Sequence, residues 1–482
     1  MRPQRGSIDT GSHVSRSSEP VKNPLKEVHV LKQSVAALAM IAALLLASCG
    51  GAPAAPSGGG EAPAEQPASG GGEAVTLNFL TLDGDDMIAA TNAVIDAWKK
   101  SDPKYANVTV NIQAVPFADI FPAIETAVAS GAELDLFLAD GPDMKHYAFN
   151  NAAIPLEKYF TKEEIAAFLP INVEAGTYKG IFYSPGIMES CSNMFFNKDM
   201  TDAAGVNPPE VLTGWTMEEA LPNWQKTVQR DGSSVTVWGL RWGQGTYWGD
   251  YEHGIVRRAA GPKGSPTNMG MAPDGVTFKG YMDTPEALAA FEFQRSWYRG
   301  ENPVSPQEPI PDIFFNKQSA FYISPDNAIG TINRKYPNGD FRFGVMGIPG
   351  FANGSQVCHT DSWHFGVSPA SKQQDLAAAL VKYMTGPEGA KIWFGIIKQL
   401  PARTELLNTV PEYKEMPQKL FAEAVQAYGQ PRIGTPGYTE YQQVFAELMK
   451  NLAQTDAPVS ELVADAVSKI ESAVAKYKGW ND

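Results

Sequence analysis

Carboxylates and aromatic rings, rather than histidines or cysteines, are the groups in this sequence that could do chemistry. Trp238 to Tyr251 reads W-G-L-R-W-G-Q-G-T-Y-W-G-D-Y. An aromatic face packs against the C–H face of a pyranose, whose hydroxyls then need Asp, Glu, Arg or Asn partners. Trp242, Tyr247 and Trp248 are therefore candidates to line a cleft, with burial in a core as the competing fate of any tryptophan. Glu189 lies inside a mostly apolar run, Ile187 to Phe196. A carboxylate there must be paired or must face a cleft that a ligand reaches. No H-E-x-x-H or C-x-x-C is present, and the six histidines are scattered. Asp83, Asp85 and Asp86 do not complete a calcium loop. Walker, G-x-G-x-x-G and G-x-S-x-G patterns are missing after the expected strands. Neither a metal nor another cofactor is expected. A glycoside-cleaving enzyme, the competing class, needs two carboxylates at one cleft. Asp140, Glu189, Asp326 and Asp361 could supply them.

The elements that must position these groups begin at Val75. Val75–Leu82 reads as a strand, followed by a helix to Lys100 with Ile88, Thr91, Ile95 and Trp98 at helical spacing. Asn107–Ala114 is the next strand, Phe117–Ser130 a helix and Leu134–Ala139 a third strand. This β-α-β-α-β order predicts a parallel sheet with helices on its faces, and ligand loops beyond the carboxyl ends of its strands. Asp83, Asp85 and Asp140 occupy such loops. Tyr178–Ser184 reads as a strand, broken by Pro185-Gly186 before the run that holds Glu189. Thr161 with Glu164, and Thr216 with Glu219, have capping-box spacing. Thr284-Pro285 opens another helix, and Val459–Lys478 is the last.

The length of 482 residues exceeds one core, so two lobes are expected. Residues 34–47 are uncharged and mostly apolar, too short for a bilayer span of roughly 20 residues. Lys32 precedes them and Leu46-Ala47-Ser48-Cys49 follows, which looks like a lipobox. Residues 1–48 therefore read as a signal peptide and Cys49 as the lipidated residue that ties the protein to the outer face of the membrane. Residues 1–29 are long for a leader, and translation is expected to start at Val28 or Val30. Residues 49–74, rich in Gly, Ala and Pro, read as a flexible tether. Residues 1–48 hold six Lys/Arg and three Asp/Glu, so without them the net charge moves from −14 to −17. Such an acidic body argues against a nucleic-acid partner.

The stretch from Tyr178 to the tag Phe196-Asn197-Lys198-Asp199 resembles the crossing segment of bacterial extracellular solute-binding proteins of the maltose-binding type, family 1. Further landmarks keep the family's order. They include Ile154-Pro155-Leu156, Pro208-Pro209 with Trp215, Phe314 to Asp326, Phe341 to Pro349, Cys358 to Ser368, Thr385 to Gly389, Leu400 to Arg403, and Gly437-Tyr438. The resemblance covers residues 75–480. It implies a two-lobe α/β periplasmic-binding-protein fold (type II) with the ligand cleft between lobes, and a monomer. The lobes it implies are residues 75–190 with 366–410, and 191–365 with 411–482. It also implies a non-enzymatic receptor that hands a sugar or oligosaccharide to ABC permease subunits in the membrane. The same fold could instead take a polyamine, a glycerophosphodiester or a peptide. By the same resemblance Glu189, Tyr322, Asp326, Asp361, Trp363, Arg403 and Tyr438 join the ligand candidates. Cys191 and Cys358 fall on the two adjacent hinge strands, as two buried free thiols or, as the alternative, a disulfide.

Overall fold

The computed structural model describes residues 75–243, 248–360 and 363–480. The leader, Cys49, the tether, Tyr247 and Asp361 lie outside the described residues. In chain order, β1 (Thr76–Leu82), β2 (Thr109–Val115), β3 (Leu136–Asp140), β4 (Thr177–Tyr178), β5 (Ile181–Phe182) and β6 (Asn193–Asn197) come first. β7 (Gln229–Asp231), β8 (Ser234–Arg241), β9 (Ser319–Ser324), β10 (Phe343–Met346), β11 (Cys358–His359), β12 (Trp363–Val367) and β13 (Gly429–Gln430) follow.

Two main sheets result. The first has the order β12-β3-β1-β2, with β1 parallel to β2 and β3, and β12 antiparallel to β3. Its parallel part needs crossovers, supplied by the helices Asp85–Ser101 and Phe117–Ser130. The first helix buries Val94, Ile95 and Trp98 on one face. β3, read L-F-L-A-D, is buried along its whole length, as a strand covered on both faces must be. The second sheet has the order β10-β6-β9-β8-β7 and is mostly antiparallel, with β8 parallel to β9.

Each sheet carries a core of its own. One core draws on Leu77 to Met188 and on Phe365 to Leu406. The other centres on Cys191 to Cys358 and the C-terminal helices to Trp480. Three stretches run side by side where the two halves meet. The Ile187 amide donates to Trp363 O at 3.0 Å, and Glu189 N to Leu400 O at 2.6 Å. Gly186 bridges His364, and Met188 bridges Pro401.

Both capping boxes form, at Thr161 with Glu164 and at Thr216 with Glu219. Three expectations change. The strand expected over Tyr178–Ser184 is a hairpin, because Lys179 (φ 49°) and Gly180 (φ 73°) adopt the left-handed conformations a tight two-residue turn requires. The final helix ends at Val474 rather than Lys478 and closes with a short 3-10 turn, Ala475–Tyr477. Cys191 and Cys358 are not free thiols. They form a disulfide with Cα atoms 5.1 Å apart, joining the approach to β6 to the start of β11. Among the described residues no helix is long and apolar enough to cross a membrane.

Candidate functional site

A cleft of about 850 Å³ opens where the two halves face each other. From the first half, Phe117, Phe121 and Glu125 reach it from one face of the helix Phe117–Ser130. Residues three and four apart share a helix face, which is why this helix presents rings and a carboxylate together. Phe117 is 54% exposed and meets Phe121 and Trp363 edge to face, at 5.6 and 5.9 Å between centroids. Asp140 ends β3 at the carboxyl edge of the parallel sheet. Asp143, His146 and Tyr147 follow it through a 3-10 turn into the helix Met144–Phe149. From the second half come Tyr251 and Glu252 on the helix Asp250–Ala259, Arg432 just after β13, and Tyr438, Gln442 and Gln443 on the helix Tyr438–Gln454. Ser190 and Gln399 lie on the joining stretches and complete the floor.

Arg432 is the electrostatic centre. Its guanidinium donates to both oxygens of Asp140, one bond measuring 2.8 Å, and to Tyr438 Oη at 3.3 Å. It lies over the rings of Tyr251 and Tyr438 at 5.4 and 5.5 Å. Planar forks match carboxylates and aromatic faces in this way. The pair joins the end of the first sheet to the C-terminal half across the cleft. The backbone beside it is fixed by Arg258, which donates to Pro431 O at 2.7 Å and to Gln430 Oε1 at 2.8 Å. His146 shares hydrogen bonds with Glu125 at 3.0 Å and Pro436 O at 2.7 Å. Burial works against its charged form, but these two bonds together with the nearby charges of Glu125 and Asp143 outweigh it and raise its pKa. Burial, reinforced by the neighbouring Asp140 charge, pushes the Asp143 carboxyl up to about 7. The cleft thus combines π faces with acceptors and donors in one hollow, an arrangement that holds a polyhydroxylated solute.

Of the residues expected from sequence, Asp140, Trp363 and Tyr438 line this cleft. Others do not reach it. Trp242 is wholly buried, donating Nε1–H to Glu252 O at 2.8 Å and packing on Trp297 at 4.9 Å, so it serves the core. Trp248 packs on His253 and Tyr298. Tyr322 stacks on Phe314 at 5.2 Å, inside the core under β9. Glu189 is fully buried and takes the paired alternative, accepting from the Ser190 amide at 3.1 Å and from Asn172 at 3.4 Å. Asp326 lies beneath the floor, between the lining residues Pro325 and Asn327. Burial drives its carboxyl up to about 8, although the amides of Leu400 and Asn327 oppose the shift. Its oxygens make no hydrogen bond of good geometry. Asp83 and Asp85 are exposed, around the turn that opens the first helix. Arg403 lies elsewhere, in a shallow recess of about 530 Å³, bonded to Glu405 at 2.9 Å and to Thr385 O.

Sequence reasoning missed Phe117, Phe121, Asp143, His146, Tyr251 and Arg432. Tyr251 ended the aromatic run and Asp143 ended the break after β3, so both were within reach. Arg432 carries no periodic signal in its loop. Among the described residues no group of three or more His, Cys, Asp or Glu could hold a metal ion.

Comparison with known proteins bears on this geometry. Residues 93–422 match the profile described as bacterial extracellular solute-binding protein. The chain belongs to that family. Its relatives are distant. A maltotriose-binding protein of Pyrococcus abyssi is 24% identical over 328 residues, 65% of this chain and 65% of its own. A binding protein of Brucella abortus is 22% identical over 284 residues, 57% of this chain and 64% of its own. The chain therefore spans just under two thirds of the length of these curated relatives. Among solved structures, an ABC substrate-binding protein of Listeria monocytogenes in complex with cycloalternan superposes with a TM-score of 0.70 at 19% identity, covering 84% of this chain and all of that one. The GacH receptor of Streptomyces glaucescens, solved unliganded and with acarbose, gives 0.70 at 17% identity with the same coverage. The fold is the two-lobe α/β fold of maltose-binding-protein-like receptors. The family and these neighbours are binding proteins, and the family is extracellular.

Proposed function

We propose that the protein is the receptor of an ABC importer and that its cleft takes up a sugar or oligosaccharide, without turning it over. One observation supports this reading most strongly. Aromatic faces and hydrogen-bonding side chains enter one hollow from both halves, as a solute that closes two lobes on itself requires. Known ligands of similar proteins agree, since relatives and neighbours carry maltotriose, cycloalternan and acarbose in their names or titles. We assign the ligand contacts to Asp140, Trp363 and Tyr438, and add Phe117, Tyr251, Arg432 and Gln442. The lobes are residues 75–190 with 366–410, and 191–365 with 411–482, closing about the three joining stretches. Cys49 carries the lipid, residues 49–74 are the tether, and the monomer delivers its solute to permease subunits. A thermal-shift screen with mono- and oligosaccharides tests this. A sugar at 100 times its dissociation constant stabilises by about 2.7 kcal/mol. Recovery of that sugar unchanged supports a receptor, whereas its hydrolysis or silence from all sugars overturns the reading.

A further inference from the structure

Asp143 lines the cleft at 5% exposure, in the turn that leads from β3 into the helix Met144–Phe149. Among the described residues its carboxyl makes no hydrogen bond and no ion pair. A carboxyl that lines the cleft, is largely shielded from water and has no partner in the chain is free to take one from a solute. The charges around it are accounted for: Arg432, entering from beyond β13, grips Asp140, and His146, one helical turn on, holds Glu125. Each cation of the cleft therefore has a carboxylate already, and Asp143 remains as an acceptor aimed at the solute. The rings of Phe117 and Trp363 stand in the same wall and attract a cation more than an anion. We propose that the solute carries a basic nitrogen, an amino-sugar oligosaccharide, and that Asp143 receives its ammonium group. This rests on the carbohydrate reading above.

The four charged groups facing Asp143 set its response to pH. Asp140 and Glu125 raise its pKa, Arg432 and His146 lower it, and burial exceeds them all, leaving it at about 7. An ammonium beside it favours the ionised form. For an amine that stays protonated, binding therefore releases protons near neutrality, and affinity rises as pH increases from 6 to 8.

Isothermal titration of the full chain at pH 7.5 with two matched pairs tests the proposal. The pairs are the glucosamine trimer against cellotriose, and 6-amino-6-deoxy-maltotriose against maltotriose. In at least one pair the amine is expected to bind ten-fold tighter or more, and Asp143→Asn should bring that ratio below three. The affinity of the unaltered protein for 6-amino-6-deoxy-maltotriose, whose alkylamine stays protonated over this range, should also rise several-fold between pH 6 and 8, with proton release seen across buffers of different ionisation enthalpy. This second measurement stands if the variant does not fold. Neutral sugars that bind as tightly as their amines in both pairs, a ratio that survives Asp143→Asn, or a flat pH profile for the 6-amino sugar overturns the inference and leaves the carbohydrate receptor in place. Silence from all four sugars overturns the inference, and the carbohydrate reading falls with it only when the wider thermal-shift screen is silent too.

Discussion

Arg432 and Asp140 are 4% and 11% exposed at the side chain, so neither charge can fall back on water. Breaking such a pair from one side strands the other charge, at a cost of about 3–5 kcal/mol. Arg432→Ala should lower stability by that order in urea, and Asp140→Ala added to it should restore part of the loss. If the double variant loses the sum of both single losses, the pair is not coupled as described. Asp326 offers a pH test. Its folded pKa of about 8 lies above the unfolded value near 3.8, so its proton stabilises the fold at low pH and that contribution is lost as pH rises from 4 to 8. Asp326→Asn should therefore gain a few kcal/mol on the wild type across that window, and parallel stability curves would refute it. At this scale the sequence was only partly legible. Asp140 was legible as a cleft residue from the strand end it closes, Trp363 and Tyr438 from the family resemblance of the segments that carry them. Trp242 and Tyr322 were misread because an aromatic side chain looks the same whether it meets a solute or a neighbour such as Trp297 or Phe314.

Among the elements, the joining stretches matter most. Gly186 bonds through its amide to Asn172 Oδ1 at 3.0 Å, and a Cβ there would lie 2.1 Å from Asn172 Nδ2. Asn172 in turn touches Glu189 and His364. Gly186→Ala must push Asn172 aside and should cost about 1–3 kcal/mol. Combined with Asn172→Ala, which makes room, the loss should fall short of the sum by 0.5 kcal/mol or more. Additive losses in thermal unfolding would show that the contact does not constrain the junction. Helices were legible through their caps: Thr161, Thr216 and Thr284 each accept from a backbone amide at the expected start. The hairpin at Lys179-Gly180 was less so, since a lysine with positive φ gives no compositional warning.

For the whole molecule, the disulfide closes a loop of sequence separation 167. On chain entropy a loop of that size confers up to about 5 kcal/mol, and removing native bridges costs roughly 2–5 kcal/mol. Replacing Cys191 and Cys358 by alanine should lower the unfolding midpoint accordingly, and coincident midpoints would refute the assignment. The β-α-β-α-β order and the ordered landmarks made the first sheet and the two-lobe plan legible. The pairing of the cysteines was not, because proximity across so long a separation leaves no local trace. The first sheet has a further consequence, concerning the order in which the chain is made. β3 ends at Asp140, yet its antiparallel partner β12 begins only at Trp363. As the chain leaves a ribosome or a translocation pore, that edge of β3 stays open while the entire second sheet is threaded out. The half made first is thus the half completed later, and whatever escorts the emerging chain must keep an unpaired strand flank, apolar up to Asp140, from meeting another copy.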